Sequence, residues 1–177
     1  MFNLKNKMVN IPDWLLIKDC DIINTFDSEG SENGQLIDIL NTNDSIMDKR
    51  KNEKFNHFYM ASVYKSKFKG LHVHPYKVDT LHCIYGKICV AFYPEVVEKP
   101  LVDSTKIEVD DFIFIELGND NHKTISFPSK YPHGFFGIDD TSLIINYRVP
   151  AWVPEDNHQY DIVSDELVEK LIEKYVG

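Results

Sequence analysis

The residues with most capacity for chemistry lie in one segment, Gly70-Leu71-His72-Val73-His74-Pro75-Tyr76-Lys77-Val78-Asp79. Side chains two apart on a strand point the same way, so His72 and His74 present two imidazoles to one face. Asp79 begins the next predicted strand, where a carboxylate can orient an imidazole or ligate a metal ion. A third histidine, His133, lies far along the chain in FPSKYPHG. Together these residue types predict a proton-transfer or metal-binding site.

Two further candidates depend on which way their strands face. Tyr147 lies in the alternating segment SLIINYRV, where its parity groups it with Ile145 and Val149 but does not decide which face is inside. Lys69 has the opposite parity to the histidine pair. It would therefore point away from a shared cavity unless Gly70 introduces a β-bulge.

Short strands are the elements that must position these side chains. Gly86, the 118–121 cluster and two polar stretches, Asp27–Asn33 and Asn41–Lys54, are predicted turns and loops between them. Many short strands at close spacing are typical of a sandwich or barrel. The predicted strands, rich in β-branched and aromatic residues, are QLIDIL, FYMASVY, LHVH, DTLHCIY, KICVAFY, KIEV, DFIFIEL, KTISFP and SLIINYRV.

The C-terminus has a different pattern. Ser164 can cap a helix whose first turn holds Asp165 and Glu166, which suits the positive end of a helix dipole. We expect this helix to pack on the outside of the strands through an apolar stripe formed by Leu167, Val168, Leu171, Ile172 and Tyr175.

Composition limits the protein class. The 177 residues are enough for one domain with its own core, and 43% are hydrophobic. A net charge of −9 argues against nucleic acid as a partner, since that affinity depends largely on Lys and Arg. No apolar run is long enough for a membrane span, and the N-terminal segment lacks a secretion-signal pattern, so we expect a cytoplasmic protein. The three cysteines imply no disulfide framework.

Two spaced motifs resemble the cupin superfamily. Its first motif, HxH followed by an acid and then Gly, matches His72, His74, Asp79 and Gly86, and its second, PxGxxH, resembles Pro128–His133. The resemblance implies an all-β, double-stranded β-helix (jelly-roll) barrel with a C-terminal helix. The implied single domain spans residues 1–177, with an N-terminal arm at 1–34, the barrel at 35–161 and the helix at 162–177.

A narrower resemblance covers residues 34–161. KGLHVH, CIYGKICVAFY, FPSKYPHGFF and INYRVPAWVPE are similar to stretches of the dTDP-4-dehydrorhamnose 3,5-epimerase family. Those enzymes are dimeric cupins that act without metal on nucleotide-linked 4-keto sugars. The resemblance implies a nucleotide-sugar epimerase or isomerase, a homodimer, with His72 as the base, Tyr147 as the acid and His133 lining the site. The implied substrate-binding residues are His74, Asp79, Lys69 and Trp152.

One departure from that family concerns the group that stabilises the enolate. The family has a lysine where this chain has Asp79, and a carboxylate cannot stabilise an enolate. Lys77 can replace the lysine only if the turn is reshaped, while His74 or His82 can donate a hydrogen bond instead.

This departure leaves two alternatives open. The first is a metal-dependent cupin enzyme in which His72, His74, Asp79 and His133 bind Fe, Mn, Ni or Zn. The second is a non-catalytic cupin that binds a sugar or a nucleotide sugar.

Overall fold

The computed structural model describes residues 11–26, 30–40, 44, 46, 57–74, 76–96, 108–149 and 165–176. These residues are mostly strands, with a 3₁₀ turn at Val109–Asp111 and a C-terminal helix, α1, at Asp165–Val176. The strands are β1 (Leu16–Asp19), β2 (Asp21–Phe26), β3 (Glu32–Asp38), β4 (His57–Tyr64), β5 (Phe68–His72), β6 (Val78–Tyr85), β7 (Lys87–Phe92), β8 (Ile113–Gly118), β9 (Lys123–Pro128), β10 (His133–Gly137) and β11 (Thr141–Val149).

Two antiparallel sheets enclose the core. One has the strand order β1-β9-β6-β11-β4, the other β5-β10-β7-β8, and β2 and β3 form a separate two-stranded ribbon. The alternating inward side chains of both main sheets meet in an apolar cluster, as in a jelly roll. This arrangement confirms the predicted all-β cupin-type barrel. The cluster includes Val63, Leu81, Ile88, Val90, Phe92, Leu117, Ile125, Phe127 and Ile144.

The structure differs from the sequence-based element boundaries in several places, and β2, in the predicted arm, was not predicted as a strand. β1 lies in the predicted arm but pairs with β9, so it belongs to the barrel. β10, with sequence HGFFG, was not predicted because its two glycines weaken the strand signal. β3 begins at Glu32, inside the polar stretch predicted to be a loop. Val109, predicted to end a strand, begins the 3₁₀ turn.

The C-terminal helix packs on the outer face of the four-stranded sheet, as expected. Leu167 and Leu171 are buried there against Leu71, Ala91 and Phe112. Ser164, the predicted N-cap, lies outside the described residues. None of the helices in the described ranges has the length and apolar character needed to span a membrane.

The motif glycine Gly86 is required by close packing. Its φ is +69°, and an added Cβ would lie 2.6 Å from the Thr141 carbonyl oxygen. We expect Gly86→Ala to lower the free energy of unfolding by about 3 kcal/mol, since backbone strain of about 1 kcal/mol adds to overpacking. Gly30 is a matched control, because its φ is +82° with nothing within 4 Å. Urea unfolding should show a loss of only about 1 kcal/mol for Gly30→Ala, and equal losses would contradict the packing argument.

Candidate active site

A cavity of about 180 Å³ opens between the two main sheets. Its walls combine ionisable and aromatic side chains with a few apolar ones. The lining residues are Tyr59, Ala61, Lys69, His72, His74, Asp79, Leu81, Phe127, His133, Gly134, Phe135, Ile144, Asn146 and Arg148.

The structure brings the three candidate histidines together in this cavity. His72 ends β5 and is paired in register with His133, which begins β10. His74 follows β5, and its backbone N–H donates to the Ser129 carbonyl at 2.7 Å. The ring centroids lie 6.1 Å apart for His72 and His74, 6.4 Å for His72 and His133, and 6.0 Å for His74 and His133. The HxH spacing therefore predicted a real cluster.

Asp79 is a fully buried carboxylate held by three donors. Its Oδ1 accepts from Arg148 Nε and from Asn146 Nδ2, each at 2.6 Å, and its Oδ2 accepts from the Ser129 hydroxyl. Burial acts to raise the pKa of Asp79, but the Arg148 charge and these hydrogen bonds outweigh it and lower the pKa to about 2. The carboxylate is therefore ionised at neutral pH.

His133 is held in one tautomer. Its Nδ1 lies 2.8 Å from the Tyr131 carbonyl oxygen, which can only accept, so Nδ1 carries the proton and Nε2 has the lone pair. Nε2 lies 3.8 Å from Asp79 Oδ2. Burial lowers the pKa of His133 to about 4, and burial together with the Arg148 charge lowers the pKa of His74 to about 3. Both rings are neutral at pH 7, and a neutral ring can accept a proton.

Part of this cluster has the donor atoms of a metal site. One ligand atom from each of His74, Asp79 and His133 lies within 4.8 Å of the others, and His72 does not join this group. The nitrogen and oxygen donors suit borderline ions. However, both oxygens of Asp79 already accept hydrogen bonds, and the Arg148 guanidinium beside them repels a cation. The arrangement therefore favours acid–base chemistry over metal binding.

Tyr147 does not reach the cavity. Side chains alternate along β11, and Asn146 and Arg148 are the ones that line the cavity. The register of β11 with β6 decides which side chains of β11 face inward, because Arg148 pairs with the inward Asp79 while Tyr147 pairs with Thr80. The prediction that Tyr147 is the acid of this site is therefore corrected, because the strand register places its side chain on the face of β11 opposite to the cavity.

Lys69 does reach the cavity, at its mouth, where it is exposed. The pairing of β5 with β10 shifts register between the His72 and Lys69 positions, and Gly70, with φ of +140°, lies between them. This is the β-bulge on which the prediction for Lys69 depended. Trp152, the remaining predicted substrate-binding residue, lies outside the described residues.

Three polar residues of the cavity could not be predicted as site residues from the sequence: Tyr59, Asn146 and Arg148. The Tyr59 hydroxyl accepts from Asn146 Nδ2 at 2.8 Å, and the Arg148 guanidinium lies 5.5 Å from the centre of the Tyr59 ring. Burial raises the pKa of Tyr59, so its phenol stays protonated. The sequence signal that groups two of these residues is strand alternation, because Arg148 shares a face of its strand with Asn146 and not with Tyr147.

The fold and cavity define a cupin-type barrel with an imidazole-rich interior. Solved structures with this fold include a dTDP sugar isomerase of Desulfovibrio desulfuricans G20, which is 17% identical over 88% of each chain with a TM-score of 0.62. The dTDP-4-dehydrorhamnose 3,5-epimerase of Sulfolobus tokodaii is 17% identical over 88% of this chain and 82% of its own, with a TM-score of 0.63.

A third similar structure is the dTDP-6-deoxy-D-glucose-3,5-epimerase of Legionella pneumophila Philadelphia 1, in complex with dTDP-4-keto-L-rhamnose. It is 14% identical over 81% of this chain and 71% of its own, with a TM-score of 0.61. At these identities the similarity establishes the fold. No protein-family model matches the sequence, and neither does any curated protein.

Proposed function

We propose that this protein is an epimerase or isomerase of a nucleotide-activated 4-keto sugar that acts by removing a proton next to the ketone. One observation carries the proposal: the two walls of the cavity hold complementary proton-transfer groups. His72 and His133 belong to the four-stranded sheet, and Tyr59 belongs to the facing five-stranded sheet. The fold shared with sugar epimerases supports the substrate class.

In the proposed reaction His72 is the base. It is half-buried and lines the cavity, so it can touch a bound sugar while remaining partly shielded from water. Its ring nitrogen takes the proton from the carbon beside the ketone, and the electron pair of that C–H bond moves to form the enolate. The buried His74 and His133, both neutral, line the site beside it. A positioned base of this kind contributes about 10²- to 10⁴-fold to rate.

Tyr59 is the proton donor in the same proposal. Because its oxygen accepts from Asn146 Nδ2, its own O–H can be directed to another acceptor, and the residue lines the cavity. The phenol proton passes to the enolate carbon, the phenolate recovers a proton from water, and His72 releases its proton to solvent. Since Tyr59 and His72 lie on facing walls, removal and return occur on opposite faces of the sugar. Such a sequence inverts the carbon.

The nucleotide part of the substrate would lie at the mouth of the cavity. Lys69 is the exposed cation there, and an ammonium group of this kind binds the diphosphate of a nucleotide sugar. Stacking of Trp152 on the base or sugar stays a prediction. So does the cytoplasmic location.

A homodimer is part of the proposal, with a second copy of this chain covering apolar surface. Among the strands that the structure describes, β4 is an edge of the five-stranded sheet, and Phe58, Met60 and Tyr64 on it are each more than half exposed. Unpaired edges and large apolar patches mark association surfaces. Sedimentation should give a dimer that Met60→Lys dissociates, and a wild-type monomer would contradict the proposal.

Deuterium uptake tests the enzymatic function. A dTDP-4-keto-6-deoxy sugar is incubated with the protein in D₂O, and mass spectrometry follows label at the carbons beside the ketone. We expect enzyme-dependent uptake together with a new epimer or isomer. Binding of the sugar nucleotide without any uptake would refute catalysis and leave the non-catalytic binder.

The metal-dependent alternative is favoured only by the grouping of His74, Asp79 and His133. Elemental analysis of untagged protein, purified without added metal, tests it against the His74→Ala variant. We expect less than one-tenth of an equivalent of Fe, Mn, Ni or Zn per chain. The reason is that Arg148 forms an ion pair with Asp79, and its positive charge repels a metal ion there. A stoichiometric metal that disappears in His74→Ala would overturn the metal-free mechanism.

A further inference from the structure

The cavity contains a fixed cation in addition to Lys69. The side chain of Arg148 is 11% exposed, lines the cavity and donates from Nε to Asp79 Oδ1 at 2.6 Å. A guanidinium keeps its charge at any physiological pH. The two charges occupy facing positions of neighbouring strands, since Arg148 on β11 pairs in register with Asp79 on β6.

We infer that Arg148 binds the enolate oxygen of the substrate and that Asp79 is its positioning residue. This inference rests on the proposed function. Removal of a proton beside a ketone places negative charge on the ketone oxygen, and fixed hydrogen-bond donors at that oxygen are the usual source of stabilisation. Arg148 is a permanent cation on the same wall as the proton donor Tyr59.

The other candidates for this role do not meet its requirements. Lys77 is buried but is not among the residues that line the cavity. His82 lies on the outer face of β6, where its Nδ1 is 3.0 Å from the Lys123 carbonyl oxygen. His74 lines the cavity, but its lowered pKa leaves it neutral, so it can donate a hydrogen bond but supplies no positive charge. Arg148 is the only one of the four that combines a charge with access.

Asp79 fixes the orientation of the Arg148 guanidinium, which a cation without such a partner would lack. Of the five N–H donors of a guanidinium, the bond to Asp79 uses Nε, and this bond fixes the plane of the group. The carboxylate charge is offset by the additional donors Asn146 and Ser129. A pair of residues on two strands, Asp79 and Arg148, would thus take the role that the family resemblance assigns to a lysine at the Asp79 position.

The placement also orients the substrate. The ketone oxygen would point to the β11 wall beside Tyr59, while the diphosphate would lie toward Lys69 at the mouth. The sugar ring would then lie between His72 and Tyr59, as inversion requires.

The test measures deuterium exchange for Arg148→Ala with and without added guanidinium ion. We expect kcat to fall by about 10²- to 10³-fold, with KM changed only a few-fold. Millimolar guanidinium should restore at least one-tenth of the lost rate, whereas equimolar NaCl should not. Because Arg148→Ala removes the cation beside the buried Asp79 carboxylate, the double variant Asp79→Asn/Arg148→Met provides a charge-neutral form with the same expected loss of kcat.

A distant cation serves as the control. Lys87 pairs with the exposed Asp120 outside the cavity, so Lys87→Ala should leave exchange unchanged. Wild-type exchange that persists in both Arg148 variants would overturn the inference alone. So would a loss that guanidinium cannot restore to folded Arg148→Ala, because it would assign Arg148 a structural role. Absence of exchange in the wild type would instead refute the proposed function, and the inference with it.

Discussion

Replacing His72 by asparagine is expected to lower the rate of deuterium exchange about 10³-fold, within the range measured for loss of a general base. Asparagine is similar in size and keeps a polar group in the cavity, but its amide cannot accept a proton. The assay is the uptake of label from D₂O into the 4-keto sugar nucleotide. Binding of dTDP, followed by calorimetry, should change little, since the nucleotide would contact the mouth of the cavity.

The control for this variant is a histidine outside the site. His122 is half-buried and stacks on His82, with ring centroids 6.2 Å apart, and it does not line the cavity. His122→Asn should therefore exchange deuterium at the wild-type rate. If His72→Asn exchanges normally and His133→Asn does not, the base is His133, whose Nε2 lies 3.8 Å from Asp79 Oδ2.

Much of the fold and part of the site could be predicted from the sequence because period-two alternation survives in it. The HxH spacing placed His72 and His74 together, and the motif glycine Gly86 marks the tight turn between β6 and β7. The position of Lys69 depended on a bulge at Gly70, and the bulge is present.

The inward face of β11 and the position of Tyr59 could not be predicted without knowing how the strands pair. Alternation groups Arg148 with Asn146 and separates both from Tyr147, but it cannot say which set faces inward. Only the register of β11 with β6 decides this, and that register depends on contacts between distant segments. Tyr59 was missed for the same reason, since it reaches the cavity from an edge strand whose neighbour is β11.

The proposed proton donor, Tyr59, differs from the tyrosine that the family resemblance implies, which is Tyr147. We expect Tyr59→Phe to lower formation of the inverted product about 10²- to 10³-fold, because phenylalanine cannot return a proton to the far face. Deuterium exchange should continue, since His72 can still remove a proton and return a solvent-derived one on its own face. Loss of inversion with retained exchange is a result that a merely structural role for Tyr59 would not produce.

Tyr147→Phe is the matched control for this variant. Both changes remove one hydroxyl from the five-stranded sheet, but only Tyr59 lines the cavity. Tyr147→Phe should therefore form the inverted product within about two-fold of the wild-type rate, as expected for a residue away from the reacting atoms. If Tyr147→Phe lost inversion and Tyr59→Phe kept it, the donor would be the residue that the family resemblance implies, and β11 would have to turn its other face to the substrate during turnover.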